Sequence, residues 1–166
     1  MNNNEIIIRP FEESDRKALQ NVLKKEASYT VKHNGGGSEK KKECLCYMYS
    51  DYYFDYEPQN VLVAVHKGTP CGFILGSTDY KLFVSKMKEI YVPKILKNSK
   101  IWGLFHKICV AVNKKQDKKG GVAFHINIDQ NYQGKKIGTR LMAAMAELMA
   151  KAGKKYMYLV KKKKKT

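Results

Sequence analysis

The chain has 166 residues, enough for one domain with a buried core, and its 43% hydrophobic content is ordinary for a globular protein. Its 32 basic and 15 acidic side chains give a formal net charge of +17, which predicts attraction to polyanions. Only Arg9, Arg16 and Arg140 are arginine, so the bidentate contacts of a nucleic-acid site are poorly supplied and a solvated, lysine-rich surface is favoured.

The sequence contains no cleavable signal and no apolar run long enough to cross a bilayer. We therefore expect a cytoplasmic protein with no membrane partner, in which the four cysteines are reduced thiols. Cys44 and Cys46 form a close pair, but no second Cys or His pair follows at zinc-site spacing. No metal site is expected.

Strand and helix signals follow one another over the first third of the chain. Residues 5–9 predict a strand, and Ser14 is expected to cap the helix that follows. The glycine-rich segment 33–38 predicts a flexible loop. A lysine-rich second helix is then expected to reach Tyr52 or Tyr53.

An aromatic cluster and two carboxylates lie at the end of this second helix. The aromatic residues are Tyr47, Tyr49, Tyr52, Tyr53 and Tyr56. Packing of a helix against the sheet accounts for such a cluster. In the functional alternative, Asp55 and Glu57 meet a cationic acceptor in an aromatic-lined mouth.

A hairpin and two helices are expected in the middle of the chain. Val61 to Val65 and Cys71 to Ser77 read as two strands joined by a turn that contains glycine and proline. Two amphipathic stretches follow between residues 81 and 112, and Pro93 is expected to break the first of them.

The most informative stretch runs from Phe124 to Gly153. Apolar residues alternate from Val122 to Ile128 as in a strand, a polar turn follows, and apolar positions from Ile137 onward lie on one helical face. A strand that leads through a basic, glycine-bearing turn into a helix favours a phosphate-bearing ligand, because the first N–H groups of a helix are unpaired. Simple chain connection is the alternative. A P-loop is excluded because it needs Gly-Lys followed by Ser or Thr, whereas Gly138 is followed by Thr139 and Arg140; the Gly-x-Gly-x-x-Gly dinucleotide fingerprint is absent.

The end of the chain predicts a strand from Tyr156 to Val160 and then five consecutive lysines. Like charges in a row repel one another and cannot bury a core. Residues 161–166 are therefore expected to form a tail outside a single domain that spans residues 1–160.

The segment YQGKKIGTRLM resembles the Gln/Arg-x-x-Gly-x-Gly/Ala signature of the GNAT superfamily of acetyl-coenzyme A dependent N-acetyltransferases. Gln133 fills its first place and Gly138 its last, whereas Lys136 stands where the family has glycine. A looser pattern from Tyr52 to Gly153 resembles the acetyltransferase-like domain of O-GlcNAc-removing glycosidases and its free-standing bacterial relatives.

The resemblance implies an α/β (α+β) fold with a mixed central sheet flanked by helices, here without the family's last helix and strands. It implies acetyl-coenzyme A as co-substrate and a primary amine, in a small molecule or a peptide, as acceptor. The protein would be a monomer or homodimer, and nucleic acid is not expected as a partner. The alternative is a catalytically inactive coenzyme A binding or protein-interaction domain on the same fold, which Lys136 favours.

The same resemblance assigns the candidate site residues. His125 is the candidate general base, because histidine on this strand serves as base in some relatives; a solvated strand histidine is the alternative. Asp55 and Glu57 are further catalytic candidates. Backbone N–H groups at the end of the strand would stabilise the oxyanion of the reaction, and the signature segment would bind the pyrophosphate of coenzyme A. These cofactor-binding positions are Ile126, Asn127, Ile128, Gln133, Gly134, Lys135, Lys136, Ile137, Gly138 and Thr139.

Overall fold

A five-stranded sheet forms the centre of the computed structural model, which describes residues 6–32, 38–112 and 121–159. Its strands are β1 (Ile6–Pro10), β2 (Val61–His66), β3 (Thr69–Gly76), β4 (Gly121–Ile128) and β5 (Tyr156–Leu159). They lie in this order across the sheet. The first four pair antiparallel and β5 pairs parallel with β4, which confirms the expected mixed sheet.

Helices cover both faces of this sheet. The α-helices are α1 (Arg16–Lys32), α2 (Glu39–Tyr49), α3 (Asp51–Tyr56), α4 (Tyr80–Lys86), α5 (Val92–Asn98), α6 (Lys100–Val112) and α7 (Ile137–Lys151). Short 3₁₀ turns precede α1, β2 and the loop before α7. The predicted α/β fold with a sheet between helical layers is confirmed.

The two-residue alternation of the strands divides the core into two layers. On β3, Phe73 and Leu75 are buried among side chains of α1, α2 and α3, while Ile74 is buried against α7. Cys71 also lies in the α7 layer, at the point where the pairing of β2 and β3 shifts register and alternation is interrupted. The buried positions of α7 recur every four residues and so form one stripe. They are Ile137, Leu141, Met145 and Met149.

Pro93 does not break the helix in which it lies, contrary to the sequence prediction. Helix α4, a π turn at Met87–Tyr91 and α5 follow one another without interruption. A proline removes one N–H from a helical ladder, and the wider π turn immediately before Pro93 accommodates that loss. The chain therefore stays helical as far as Asn98.

Ser14 does not cap the first helix, which was also predicted wrongly. A 3₁₀ turn at Glu13–Asp15 precedes α1, and the carboxylate of Asp15 accepts the Glu12 N–H at 3.0 Å. The same carboxylate binds both terminal guanidinium nitrogens of Arg9 at 2.7 and 2.8 Å. This ion pair gives the buried Asp15 its counter-charge and fixes the end of β1 to the start of α1.

The predicted second helix divides at Ser50 into α2 and α3. The backbone of Ser50 has φ −136° and ψ −45°, and its hydroxyl donates to the carbonyl of Cys46 at 3.2 Å. The division turns Tyr52 and Tyr53 into the core, where both are almost fully buried. The predicted glycine loop, except Ser38, lies outside the described residues, as do Val160 and the lysine-rich tail at 161–166.

Three of the cysteines are buried thiols, namely Cys44, Cys46 and Cys71. Burial raises the pKa of Cys46 to about 12, because a thiolate loses its hydration there. Within residues 6–32, 38–112 and 121–159, no group of His, Cys, Asp and Glu could hold a metal ion. None of the helices in these ranges combines the length and apolar character needed to span a membrane.

We predict that Gly103→Ala destabilises the protein by about 1–3 kcal/mol, the usual cost of overpacking. The new Cβ would lie 2.8 Å from the Leu96 Cα, so α6 could not keep its approach to α5. Ser85→Ala, at an exposed position of α4, is the matched control because it adds no clash. Thermal unfolding followed by circular dichroism measures both variants. An unchanged or raised midpoint for Gly103→Ala would contradict the packing described.

Candidate functional site

The junction between β4 and α7 forms the site predicted from the sequence. After Ile128 the chain makes a 3₁₀ turn and passes through Gly134 at φ +79° and Lys136 at φ +59° before α7 begins. The Arg140 N–H donates to the Lys136 carbonyl at 3.2 Å, within the first turn of α7. The preceding N–H groups of α7 therefore have no partner within the helix and define a site for an anion.

Lys136, at the position where the signature has glycine, has a backbone conformation that favours glycine. Its φ of 59° and ψ of 15° lie in the left-handed region, which costs a residue with a β-carbon about 1–2 kcal/mol. The side chains of Lys135 and Lys136 are both exposed. The departure from the signature thus keeps the path of the loop and adds positive charge beside the unpaired N–H groups.

The two glycines of this junction act in different ways. A Cβ on Gly138 would lie 3.3 Å from the Ile128 Cδ1 and 3.9 Å from the Ile126 Cδ1, so its absence lets α7 lie close to β4. A Cβ on Gly134 would meet nothing within 4 Å, but its positive φ favours glycine. One glycine serves packing and the other serves the turn.

Contacts from α1 fix the loop before α7. The Gln133 side-chain amide donates to the Ile128 carbonyl and to a Glu26 carboxylate oxygen, each at 3.3 Å. Lys25 pairs with Asp129 at 3.4 Å. Burial, and the nearby Asp129 carboxylate, raise the pKa of Glu26. Sequence reasoning missed Lys25 and Glu26 because they lie about a hundred residues from the signature and no local pattern marks them.

One edge of β4 is open beside this junction. β4 pairs with β5 over Gly121 to Phe124, whereas Phe124 to Ile128 pair with β3 on the other side. Within the described residues, no strand pairs with the β5-side edge of β4 from His125 to Ile128. Backbone groups that point to this side can bond an extended ligand, as they would bond another strand.

His125 lies on the face of β4 opposite α7. The Tyr49 and Tyr53 rings meet it edge-on, with centroids 5.5 and 6.4 Å from the imidazole centroid. Burial alone lowers the pKa of His125 to about 4. The imidazole is therefore neutral at pH 7 and presents a nitrogen that can accept a proton. Two tyrosines of the aromatic cluster noted in the sequence thus contact the candidate base.

The two candidate carboxylates have other partners. One oxygen of the buried Glu57 accepts the N–H and hydroxyl of Thr78 at 2.7 and 2.9 Å and the Asn60 side-chain amide at 3.0 Å. Asp55 is exposed, pairs with Arg16 at 2.8 Å and accepts a hydrogen bond from the Tyr91 hydroxyl. Glu57 thus fixes the loop after β3, and Asp55 lies between α1 and the π turn.

Comparison with known proteins identifies the class. The sequence profile of the acetyltransferase (GNAT) family matches residues 37–165, which is most of the chain. The chain belongs to this family, whose members are N-acetyltransferases. No curated protein matches the sequence. The narrower resemblance to the acetyltransferase-like domain of O-GlcNAc-removing glycosidases is not confirmed.

Solved structures have the same fold at low identity. SsHAT is 18% identical with a TM-score of 0.72, over 93% of this chain and 82% of that one. An agmatine N-acetyltransferase is 20% identical with a TM-score of 0.62, over 93% and 74%. The PaiA N-acetyltransferase from Thermoplasma acidophilum, solved with coenzyme A, is 16% identical with a TM-score of 0.59, over 96% and 81%.

We predict that Lys136→Gly is more stable than Lys136→Ala by about 1 kcal/mol. Both variants remove the same charge, but only alanine keeps a β-carbon in the left-handed conformation. The difference in stability between the two variants therefore measures the backbone cost at position 136 without a contribution from the lost charge. Urea unfolding of the two variants side by side measures it. Equal midpoints would show that the loop does not hold position 136 at positive φ.

Proposed function

We propose that the protein is an acetyl-coenzyme A dependent N-acetyltransferase that transfers acetyl directly to the primary amine of a small molecule or peptide. The observation that carries this proposal is the junction of β4 and α7, where unpaired N–H groups, a left-handed turn and two exposed lysines occur together. We expect a monomer or homodimer.

The junction fits a diphosphate ester. The N–H groups of Ile137, Gly138 and Thr139 begin α7, and the Lys135 and Lys136 ammonium groups supply charge on the solvent side. The open edge of β4 beyond Phe124 fits the amide groups of the pantetheine arm, which can pair with it as a strand would. The complex of PaiA with coenzyme A supports this choice of ligand.

His125 is proposed to receive the proton that the acceptor nitrogen loses. A side chain with a pKa of about 4 does not deprotonate a free alkylammonium ion efficiently, so the amine has to arrive neutral. The nitrogen becomes far more acidic once it is bonded to the thioester carbon, and the neutral imidazole can then accept its proton. Backbone N–H groups from Ile126 to Ile128 are proposed to stabilise the oxyanion until the C–S bond breaks. Coenzyme A then leaves as a thiolate, which takes a proton from solvent.

Asp55 and Glu57 are proposed to act on the acceptor side. Asp55 is exposed and already binds a cation, Arg16, which an incoming ammonium group could replace. Glu57 would hold the loop after β3 in place, since its hydrogen bonds end at Thr78 and Asn60. The agmatine and polyamine acetyltransferases among the structural neighbours make such cations the first acceptors to test.

We expect acetyl-coenzyme A to raise the melting temperature and to be consumed when an amine is present. Calorimetric titration measures binding, and coenzyme A thiol release measures turnover with agmatine, spermidine, a lysine peptide and a peptide amino terminus. Binding without turnover over this panel would favour the inactive coenzyme A binding domain. Failure to bind acetyl-coenzyme A would contradict the proposal itself.

We predict that His125→Ala lowers kcat about 10²–10⁴-fold, the usual contribution of a general base, and leaves the Kd for acetyl-coenzyme A within about twofold. Because the amine has to arrive neutral and the pKa of His125 is lowered to about 4, the wild-type kcat/KM should rise with pH as the neutral amine does, with no separate inflection near pH 6.5. Stopped assays from pH 4.5 to 9 with a buffer-independent readout measure this profile. Equal losses of binding and turnover would remove His125 from the role of base.

A further inference from the structure

Helix α6 presents an apolar face to solvent. The exposed residues, which we name the α6 stripe, are Ile101 (81% exposed), Leu104 (58%), Phe105 (60%) and Ile108 (54%). At 100° per residue these positions share one face of the helix. The opposite face, with Gly103, His106 and Val110, is buried against the protein. Four adjacent large apolar side chains are unusual on a protein surface and indicate an interaction site.

The borders of the stripe have the composition of a helix that lies in a membrane interface. Lys100 and Lys107 are exposed and project along one edge of the stripe, seven residues apart. Trp102, partly exposed, lies at the other edge beside Phe105. Aliphatic and aromatic groups between lysines and tryptophan are typical of helices that insert their apolar face among lipid head groups.

The charge around the stripe is positive over a long stretch of chain. The described residues 90–112 contain four lysines and no acidic residue. Carboxylates on the neighbouring elements are few and have partners: Glu89 of the π turn pairs with Lys86 at 3.0 Å, and Glu39 of α2 pairs with Lys42 at 2.6 Å. Glu43 of α2 accepts the Asn98 side-chain amide at 3.1 Å. The surface that surrounds the apolar stripe is therefore complementary to an anionic partner.

We propose that the α6 stripe docks this protein on an anionic lipid surface, with α6 parallel to the membrane plane. A second copy of the chain would bring two lysine-bordered faces of a +17 protein together, which charge repulsion opposes. A nucleic acid would use the lysines but leave the apolar side chains in water. An anionic membrane accounts for both the lysines and the apolar side chains. Its head groups bind the lysines, and the boundary of its acyl chains covers the α6 stripe.

The sequence did not reveal this surface. From the sequence, we expected the protein to have no membrane partner. Residues 101–112 have the periodicity of a helix that covers a core, and periodicity alone does not show which face is buried. In the structure, α6 rests on α5 through the side that contains Gly103, which leaves the more apolar side outward. Docking of this kind needs no membrane-spanning helix.

The test uses the full chain and the only tryptophan in the sequence, Trp102, as reporter. We expect flotation with phosphatidylcholine vesicles that contain phosphatidylglycerol, a blue shift of Trp102 emission on binding, and little binding to pure phosphatidylcholine. Leu104→Ser/Phe105→Ser should weaken binding about tenfold or more, because apolar area no longer inserts. Lys100→Gln/Lys107→Gln should weaken it about thirtyfold at low salt, at about 1 kcal/mol for each lysine.

Matched controls separate docking by this face from general attraction of a cationic protein. Lys151→Gln/Lys155→Gln removes the same charge from exposed positions near the end of α7, and Met142→Ser removes an exposed apolar group from the same helix. Both should bind like the wild type. Thermal unfolding establishes that each variant is folded, and coenzyme A binding, which the docking proposal does not require, is measured separately.

Three outcomes would overturn the proposal. The first is no flotation of the wild type with anionic vesicles. The second is equal loss of binding in the stripe variants and in their controls, which would show adsorption through net charge. The third is a concentration-dependent dimer, measured by light scattering, that the Leu104→Ser/Phe105→Ser variant abolishes while vesicle binding is absent. That result would assign the stripe to a second copy of the chain.

Discussion

The pleat of β4 is the constraint on which the rest of the site depends. Alternate residues of this strand have to face opposite layers, so Ile126 and Ile128 contact α7 while His125 meets the tyrosines of α2 and α3. A shift of one residue would place the imidazole in the α7 core and lose the contact that positions the helix at Gly138. One strand thus sets the distance between the anion site and the candidate base.

Local patterns predicted the elements on both sides of this strand. The alternation from Val122 to Ile128 and the four-residue recurrence from Ile137 each depend on residues close in sequence, and both are present with boundaries within one or two residues. Two helix predictions failed, at Pro93 and at Ser50, because neighbouring residues change the local backbone. Pro93 is tolerated in the first turn of α5, after a π turn, and the helix divides at Ser50, whose backbone leaves the helical region.

Other features depended on contacts that no local pattern contains. Glu57 reads as an acidic residue near aromatic groups, and only the fold shows that Thr78 and Asn60 surround one of its oxygens. At position 136 the sequence pattern differs from the family's, but the backbone has a left-handed conformation that favours glycine. The loop is therefore set by its anchors at Ile128 and Glu26 as well as by residue type.

The buried thiols have a consequence for the chemistry of the protein in oxidising conditions. Peroxides and disulfides react with thiolates, and a thiol whose pKa is about 12, as at Cys46, is almost wholly protonated at pH 7. Burial likewise raises the pKa of Cys44 and Cys71, and the Cys71 thiol donates to the Ala64 carbonyl at 3.3 Å. These three side chains are therefore poor targets for glutathione exchange, and the protein can keep them as thiols without an external reductant.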